Sequence, residues 1–277
     1  MTHDKKSFAE ITRSASKTFY FASLFFPKNV RNDVYVLYAF LRISDDLVDA
    51  IPPRLAEYEL FKKNTIAAIE GVPASVDSID AFVQLAAKKK IDKKNIQAYF
   101  ASQDLDLIKR SYETYSDLCK FIYGVADVIG LFMAQVLDIP EIAHQGAQTM
   151  GHAMQLVNII RDIQEDAHAG KVYLPQQELK RFGLPSTLDS SIIETHPKEF
   201  NSFIHFQLSR ATALFSESKK SIPNIPIKSQ RAIRIAAHAY EYMINAMQKN
   251  PPIIFQKKVR PTVFNLLIIC IQAFIYG

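Results

Sequence analysis

The sequence is poor in cysteine and in glycine. Its two cysteines, Cys119 and Cys270, form neither a metal-ligand spacing nor a disulfide framework, so we expect a reducing compartment. Only 8 residues are glycine, no window alternates as strands joined by hairpin turns do, and no βαβ rhythm is present. The long segments instead carry apolar residues about every three to four positions, which predicts an all-α protein.

The chain also lacks a strong charge of either sign. Its 33 Lys and Arg residues against 28 Asp and Glu residues leave a formal net charge of +5. The cations are dispersed, apart from small clusters at 88–90 and 257–258, and a nucleic-acid site would require a basic stripe interleaved with stacking aromatics. We therefore expect no nucleic-acid partner. A solvated basic surface is the favoured interpretation, ahead of attraction to anionic substrates or anionic lipid.

No signal-peptide core follows the polar residues 1–6, which predicts a cytoplasmic protein. The apolar segment 262–276 is shorter than the roughly 20 residues that span a bilayer. Because Lys257, Lys258 and Arg260 precede it, this segment could lie in a membrane interface. Packing on the body of the protein is slightly favoured, with peripheral membrane contact through 262–276 as the alternative.

No linker rich in glycine, serine or proline divides the chain, so we expect a single domain over residues 1–277. Prolines and apolar periodicity set the predicted helix limits. The predicted helices are 7–20, about 29–52, 54–70, 76–89, 92–115, 116–137, 142–167, 176–182, 197–220, 226–248 and 262–276. Residues 171–175 are predicted to form an extended connector.

One predicted helix is apolar on nearly all sides yet carries a polar stripe. Tyr38, Arg42, Asp45 and Asp49 follow the spacing i, i+4, i+7, i+11. A helix that is apolar all round is normally buried, so its polar stripe faces something polar inside the protein. Residues four apart on a helix lie about 5–6 Å apart at Cβ, so Asp45 and Asp49 share one space.

The predicted helix 142–167 repeats this pattern. Gln155, Asn158, Asp162 and Asp166 follow the spacing i, i+3, i+7, i+11 among apolar neighbours. The chain therefore presents two acidic stripes on two largely buried helices.

The acids near the two stripes outnumber the cations. Six acids face two arginines, Arg42 and Arg161, and the difference leaves four negative charges; the acids are Asp45, Asp46, Asp49, Asp162, Glu165 and Asp166. Burying unpaired carboxylates costs several kcal/mol each. The main structural alternative is that some acids are exposed and paired at i, i+4, Arg42 with Asp46 and Arg161 with Glu165.

A divalent cation accounts for the acids that remain. Mg²⁺ takes oxygen ligands and typically uses one or two carboxylates together with substrate phosphate. Zinc is disfavoured because no His or Cys joins either stripe. A glycosidase acid and base pair fits less well, because such enzymes use one opposed pair of carboxylates.

The segment Ser14 to Tyr20 gathers hydroxyl groups around Lys17. A helix end capped by hydroxyls is the favoured interpretation from composition. A lid that donates hydrogen bonds to phosphate is the alternative.

The chain resembles the squalene/phytoene synthase family of head-to-head prenyl transferases nearly end to end, and most closely its bacterial phytoene synthases. The matching segments are Ser16-Lys17-Thr18-Phe19-Tyr20, Leu37 to Arg42 with Asp45 to Asp49, Tyr123-Gly124-Val125-Ala126, Gln155 to Asp162 with Glu165-Asp166, and Val172-Tyr173-Leu174-Pro175. One D-x-x-x-D motif is weak support, whereas two in these contexts and in this order are strong support.

This resemblance implies an all-α isoprenoid-synthase bundle around a central cavity. It implies that Asp45, Asp49, Asp162 and Asp166 bind metal and serve catalysis, and that Tyr38 and Tyr123 lie near the reacting carbons. The positions that match diphosphate-binding or metal-shell residues are Lys17, Arg42, Gln155, Asn158 and Arg161, with Asn158 also a metal ligand. Thr18 and Phe19 match a flap over the site, which favours the lid interpretation. The implied cofactor is Mg²⁺, with Mn²⁺ as an alternative.

The implied reaction joins two prenyl diphosphates through a cyclopropylcarbinyl diphosphate. Geranylgeranyl diphosphate and phytoene are the favoured substrate and product. Farnesyl diphosphate giving presqualene diphosphate, squalene or dehydrosqualene is the alternative, and only squalene would require NADPH. A non-catalytic assembly factor of the same fold is a further alternative, disfavoured because all four acids are present.

Three positions depart from the family pattern. Asp127 stands where relatives usually carry Gly or Ala, so one wall of the cavity is altered, and its side chain either turns to solvent or reaches a polar interior. Pro251-Pro252 replaces a segment with a Gly-Tyr pair. Lys171 stands where Arg is common and lacks its fork geometry.

Overall fold

Every regular element is helical in the computed structural model, which describes residues 7–275 and the side chains of residues 7–273. Residues 1–6, on which the expectation of a cytoplasmic protein rests, lie outside the described residues. So do residues 276–277, which include the end of the predicted segment 262–276. The α-helices, in chain order, are α1 (Phe8–Ala15), α2 (Lys17–Ser23), α3 (Lys28–Val48), α4 (Leu55–Ile69), α5 (Asp77–Lys89), α6 (Lys93–Ile108), α7 (Tyr115–Ile122), α8 (Val128–Val136), α9 (His144–Arg161), α10 (Ile163–His168), α11 (Gln176–Arg181), α12 (Ile192–Thr195), α13 (Pro197–Lys219), α14 (Ile227–Lys249), α15 (Ile253–Gln256) and α16 (Val263–Ile275). The all-α prediction is confirmed.

Helix α3 is largely buried, as its apolar pattern predicts. Its apolar residues are buried against α4, α5 and α6, and Phe40 stacks on Phe82 of α5 at 3.8 Å between ring centroids. Burying each such side chain stabilises the fold by roughly 1.5–3 kcal/mol. The helix ends at Val48, earlier than predicted, so Asp49 is its C-cap residue. The Asp49 amide still donates to the Asp45 carbonyl at 2.8 Å, which keeps both acids on one face.

The predicted helix 142–167 breaks at Asp162 into α9 and α10. Asp162 adopts φ −100° and ψ 13°, outside the α-helical region. The amide of Asp162 donates to Asn158, however, and the amide of Asp166 donates to the Asp162 carbonyl at 2.9 Å. The stripe therefore continues across the break.

The predicted helix 92–115 is wrong in its second half. Helix α6 ends at Ile108, and the following residues are extended and pair with the extended connector 171–175. The amide of Val172 donates to the carbonyl of Arg110 at 2.8 Å. Aromatic packing accounts for the extended conformation of these residues. Tyr112 is fully buried and stacks on Tyr173, with 6.0 Å between the ring centroids.

The predicted helix 7–20 is two helices that meet at Ser16. The Ser16 hydroxyl accepts from the amide of Phe19 at 3.2 Å and so caps α2. The capping interpretation is confirmed for Ser16.

A π-helical turn, Tyr123–Asp127, interrupts the predicted helix 116–137. Two glycines here permit close helix contact, as expected from sequence. A Cβ on Gly124 would lie 2.1 Å from the Ser102 hydroxyl, and one on Gly130 would lie 2.3 Å from the Ala147 carbonyl oxygen.

Replacing Gly130 by alanine tests this packing. Because the Ala147 backbone cannot move aside, Gly130→Ala is expected to destabilise the protein by about 1–3 kcal/mol, despite the higher helix propensity of alanine. Urea unfolding gives the free energy, with Lys63→Ala on the exposed side of α4 as a control. Equal stability of Gly130→Ala and the wild type would contradict the close packing.

Candidate active site

Asp45 lies near the end of α3 and is held by two side chains of α6. The Tyr99 hydroxyl donates to Asp45 Oδ1 at 3.1 Å, and Gln103 Nε2 donates to the same oxygen at 2.5 Å. Burial and the nearby Asp49 carboxylate nevertheless raise the pKa of Asp45 to about 7. Two uncharged donors therefore hold this carboxyl group in place.

Asp49, one turn further on, is exposed to solvent. Its pKa is still raised, first by desolvation and then by the charge of Asp106, while Lys171 acts in the opposite direction. Water therefore reaches the Asp49 carboxylate, although the surrounding protein removes part of its hydration. This combination indicates a recess in the surface.

The second acidic pair begins with Asp162, which is already paired. Arg161 binds both of its oxygens, with Nε donating to Oδ1 at 2.8 Å and Nη2 to Oδ2 at 2.5 Å. Lys258 Nζ lies 3.5 Å from Asp162 Oδ1 and 2.6 Å from Glu165 Oε2. The pair of Arg161 with Glu165, part of the structural alternative that the sequence offered, is therefore wrong, because Lys258 binds Glu165 from another part of the chain.

The two acidic stripes meet at Asp166. Burial, the charge of Asp162 and more weakly the charges of Asp106 and Asp49 raise the pKa of Asp166 to about 8. Asp49 is on the first stripe and Asp166 on the second, so residues of the two stripes lie within electrostatic range of each other.

Asp106 of α6 lies between the stripes and was missed by sequence reasoning. It is 4% exposed and accepts hydrogen bonds from Lys171 Nζ at 2.5 Å and from the Tyr173 hydroxyl at 2.6 Å. Lys171 thus binds a buried acid and also acts on Asp49 and Asp166. The sequence does place the polar residues Gln103 and Asp106 one helical turn apart, which could have marked a polar face of α6. Their partners, however, lie in distant segments of the chain.

Arg42 forms an ion pair with Asp46 one turn away, which is one of the two roles that the sequence left open for it. Both side chains are partly exposed, at 40% and 53%. Ion pairs of this kind contribute roughly 0–1 kcal/mol. Arg42 also acts on Asp45 and Asp49, so it lies close to both acids of the first stripe.

The segment that the resemblance matches to a flap contacts the first stripe at Tyr38. Phe19 of α2 stacks on Tyr38 with 4.6 Å between ring centroids, and the Ser16 hydroxyl hydrogen-bonds to Tyr38. Burial raises the pKa of Tyr38 to about 12. Thr18 is half-buried and Lys17 is exposed.

Tyr240 of α14 interacts with both stripes. It lies near Tyr38 of the first stripe and Arg161 of the second, and its side chain hydrogen-bonds to Asn158. Burial raises its pKa. Sequence reasoning missed this residue because no acidic pattern marks α14.

Comparisons with known proteins bear on what this arrangement does. The sequence model of the squalene/phytoene synthase family matches residues 12–265. The chain belongs to the squalene/phytoene synthase family. Proteins of this family are prenyltransferases, so the chain is an enzyme of this class.

The relatives include two 15-cis-phytoene synthases. The one from Synechococcus elongatus is 28% identical over 90% of this chain and 85% of its own length. The one from Synechocystis is 26% identical over 93% of this chain and 81% of its own length. A crystal structure of a dehydrosqualene synthase with bound ligand aligns with a TM-score of 0.87 at 25% identity, over 97% of this chain and 94% of that one. The isoprenoid-synthase fold is confirmed.

The donor atoms of the site fit the divalent cation that the family resemblance implies. Asn158 Oδ1 is buried and has no hydrogen-bond partner, and its amide nitrogen donates to Gln155 Oε1 at 3.4 Å. Asp45 and Asp166 carry pKa values raised to about 7 and about 8. Within residues 7–275 no three His, Cys, Asp or Glu side chains are close enough to hold a metal alone. Mg²⁺ completes its shell with substrate phosphate, and Mn²⁺ accepts the same oxygen donors.

The structure shows where the residues that depart from the family pattern lie and what they contact. Asp127 reaches a polar interior, since its Oδ1 lies 3.0 Å from His152 Nδ1, and His152 Nε2 lies 3.1 Å from the Tyr115 hydroxyl. Tyr123, at the start of the π-helical turn, is 43% exposed. Pro251 and Pro252 lie between α14 and α15.

The Asp127 and His152 pair makes stability depend on pH. Burial alone would lower the pKa of His152, but the hydrogen bond to Asp127 and the neighbouring Cys119 raise it to about 9. The pair therefore stabilises the fold fully below the ordinary histidine pKa of about 6.5, and this contribution is lost as pH rises through 9. The contribution is about 3 kcal/mol at most.

We expect Asp127→Asn to be less stable than the wild type at pH 6 and nearly as stable at pH 9.5. Urea unfolding at both pH values measures the difference, which cancels the titration of other groups. Asp33→Asn, which breaks an exposed pair with Lys88, is the control, and its effect should not change over this range. A constant difference for Asp127→Asn would show that His152 is neutral in the folded protein.

Proposed function

We propose that the protein catalyses the head-to-head condensation of two prenyl diphosphates in a Mg²⁺-dependent reaction, and that two geranylgeranyl diphosphates yield phytoene. The observation that carries this proposal is the convergence of Asp49 and Asp166, from two separate stripes, around Lys171 and Asp106. The similarity to two 15-cis-phytoene synthases supports the choice of substrate and product.

Asp45, Asp49, Asp162, Asp166 and the unpartnered Asn158 oxygen are the residues that would hold the cation. When bound, Mg²⁺ (or Mn²⁺) neutralises charge that develops on the departing diphosphate. Asp162 is already oriented by Arg161, and Asp45 by Tyr99 and Gln103, so these carboxylates are held in place before substrate arrives.

Cationic side chains bind the diphosphate groups in this proposal. Arg42 exchanges its exposed partner Asp46 for phosphate oxygen, and Lys17 approaches from the flap. Arg161 and Gln155 act from the second stripe. Lys171 is directed by Asp106, which compensates for the missing fork of an arginine by fixing the ammonium group between the stripes.

The reaction follows from the loss of diphosphate. The C1–O bond of one substrate breaks, the diphosphate takes the electron pair, and an allylic cation forms. The double bond of the second substrate attacks C1, and loss of a proton closes a cyclopropylcarbinyl diphosphate. A second ionisation rearranges this intermediate. Loss of a further proton then gives phytoene.

The aromatic side chains protect the cations. Tyr38 remains protonated because its pKa is raised to about 12, and the stacked ring of Phe19 fixes its orientation. Neutral ring faces stabilise carbocations, and apolar walls exclude water that would quench them. Tyr123 supplies a second ring at the π-helical turn.

The second candidate substrate is farnesyl diphosphate, with presqualene diphosphate, squalene or dehydrosqualene as the product. The structural similarity to a dehydrosqualene synthase favours this alternative. NADPH is required only if the product is squalene, because that product alone needs a reductive second step.

Product analysis separates these candidates. Purified protein is incubated with Mg²⁺ and either farnesyl or geranylgeranyl diphosphate, with and without NADPH, and the hydrocarbons are identified by mass. We expect phytoene from geranylgeranyl diphosphate regardless of NADPH. A farnesyl-derived product alone would favour the second candidate, and no turnover of either substrate would contradict both.

Asp106→Asn tests the role of Lys171. Without the carboxylate the ammonium group is free to move, and misplacement of such a group costs up to about 100-fold in rate. We expect kcat to fall about 10- to 100-fold, measured as diphosphate release. Asp104→Asn is the matched control, because Asp104 faces the other side of α6 and binds Lys62 and Tyr58. A wild-type kcat for Asp106→Asn would show that Asp106 does not position Lys171 for the reaction.

A further inference from the structure

Helix α16 packs on the protein through one face only. Leu266, Ile269 and Ala273 are 6%, 3% and 2% exposed. They form a small core with Ile235 of α14 and Ala22 of α2, which is separate from the main core of the bundle. The expectation that this segment packs on the body is therefore correct for this face.

The opposite face of α16 is apolar and open to solvent. Phe264, Leu267, Ile268 and Ile271 follow the spacing i, i+3, i+4, i+7 and are 70%, 53%, 40% and 58% exposed. Single exposed apolar residues are ordinary on protein surfaces, but a contiguous apolar face marks an interaction site. We call these four residues the outer face of α16.

The charges in the chain segment that carries the outer face are of one sign, and the acid Glu241 of α14, which lines a pocket with Ile268, is paired with Lys219 and His238. Lys257, Lys258 and Arg260 precede the helix, no acid occurs between 257 and 275, and the chain as a whole carries +5. Lys258 is committed to Glu165 and Asp162, whereas Lys257 and Arg260 are exposed. An apolar helix face with cations at its edge is complementary to an anionic lipid surface, where cations meet headgroups and apolar side chains meet acyl chains.

A second apolar segment of the described chain, Tyr115–Val136, is less suited to contact a lipid surface. Residues Tyr115–Val136 are long and apolar enough to cross a membrane by length and composition. They form α7, the π-helical turn and α8, and half of the apolar window is buried inside the protein. Among residues 7–275, none covers the outer face of α16 in this way.

The position of α16 relates the outer face to the active site. Its inner face contacts Ala22 of α2, one turn beyond Phe19, and Phe19 stacks on Tyr38 of the first stripe. A surface bound by α16 therefore lies next to the helix that carries the flap.

We propose that the outer face of α16 binds an anionic lipid bilayer, with Lys257 and Arg260 at the headgroups and the four apolar side chains in the interface. If the proposed function holds, this orientation places the flap where amphiphilic prenyl diphosphates and their hydrocarbon product reside. The binding itself requires no turnover, so it is tested independently of the reaction.

Sedimentation of the full chain with lipid vesicles tests the proposal. The probes are vesicles of phosphatidylcholine alone and of phosphatidylcholine with one part in four phosphatidylglycerol. We expect binding to the anionic vesicles, weakened by salt, and at least about tenfold weaker binding to the neutral ones. Lys257→Gln with Arg260→Gln should reduce this preference for anionic lipid.

Leu267→Glu tests the apolar contact, and Leu60→Glu on α4 is its matched control. Leu60 is 58% exposed, close to the 53% of Leu267, but belongs to another part of the surface. We expect Leu267→Glu to lose binding at least about tenfold and Leu60→Glu to bind as the wild type does. Circular dichroism of both variants shows whether the fold is kept.

Three results would overturn the proposal. The first is a wild-type protein that does not sediment with anionic vesicles. The second is equal binding by folded Leu267→Glu and Leu60→Glu. The third is a wild-type dimer, seen by light scattering, that Leu267→Glu converts to a monomer while neither protein binds vesicles, since the outer face would then contact a second copy of the chain.

Discussion

The carboxylates of Asp49, Asp106 and Asp166 lie around the ammonium group of Lys171, and Asp45 lies beside Asp49. The neighbouring cations Arg42, Arg161 and Lys258 are each paired with a further acid. Desolvation by burial, together with the charge of the neighbouring acids, raises the pKa of Asp45 to about 7 and that of Asp166 to about 8. The aromatic packing of α3 and the extended pairing of 109–113 with 171–175 hold these groups together.

The parts of the fold that depend on local pattern were predictable. The two polar stripes, the burial of α3 and the close approach at Gly124 and Gly130 follow from spacing along one helix. The contacts of Asp106 with Lys171 and Tyr173 join residues 65 and 67 positions apart, and no helical period encodes such a pairing. The early end of α6 was unpredictable for the same reason, because Tyr112 stacks on Tyr173, which lies far along the sequence.

The charge pairs show the same division. The sequence offered two ion pairs at i, i+4 as a structural alternative. The pair of Arg42 with Asp46 lies within one helix and is present, whereas Glu165 binds Lys258, which follows α15, instead of Arg161. Asp127 was recognised as unusual from sequence, but only the structure supplies His152 as its partner. A 25% identical protein nevertheless shares the fold with a TM-score of 0.87, as expected where a core tolerates substitutions that keep volume and pattern.

The central claim is that the recess binds a divalent cation and a diphosphate together. Calorimetric titration of Mg²⁺ with and without inorganic diphosphate, repeated in two buffers of different ionisation enthalpy, tests it most directly. We predict that diphosphate strengthens Mg²⁺ binding, that protons are released near pH 7 from acids with raised pKa values, and that Asp49→Asn with Asp166→Asn abolishes both effects. Mg²⁺ binding that is unchanged by diphosphate, or by the double substitution, would contradict the account.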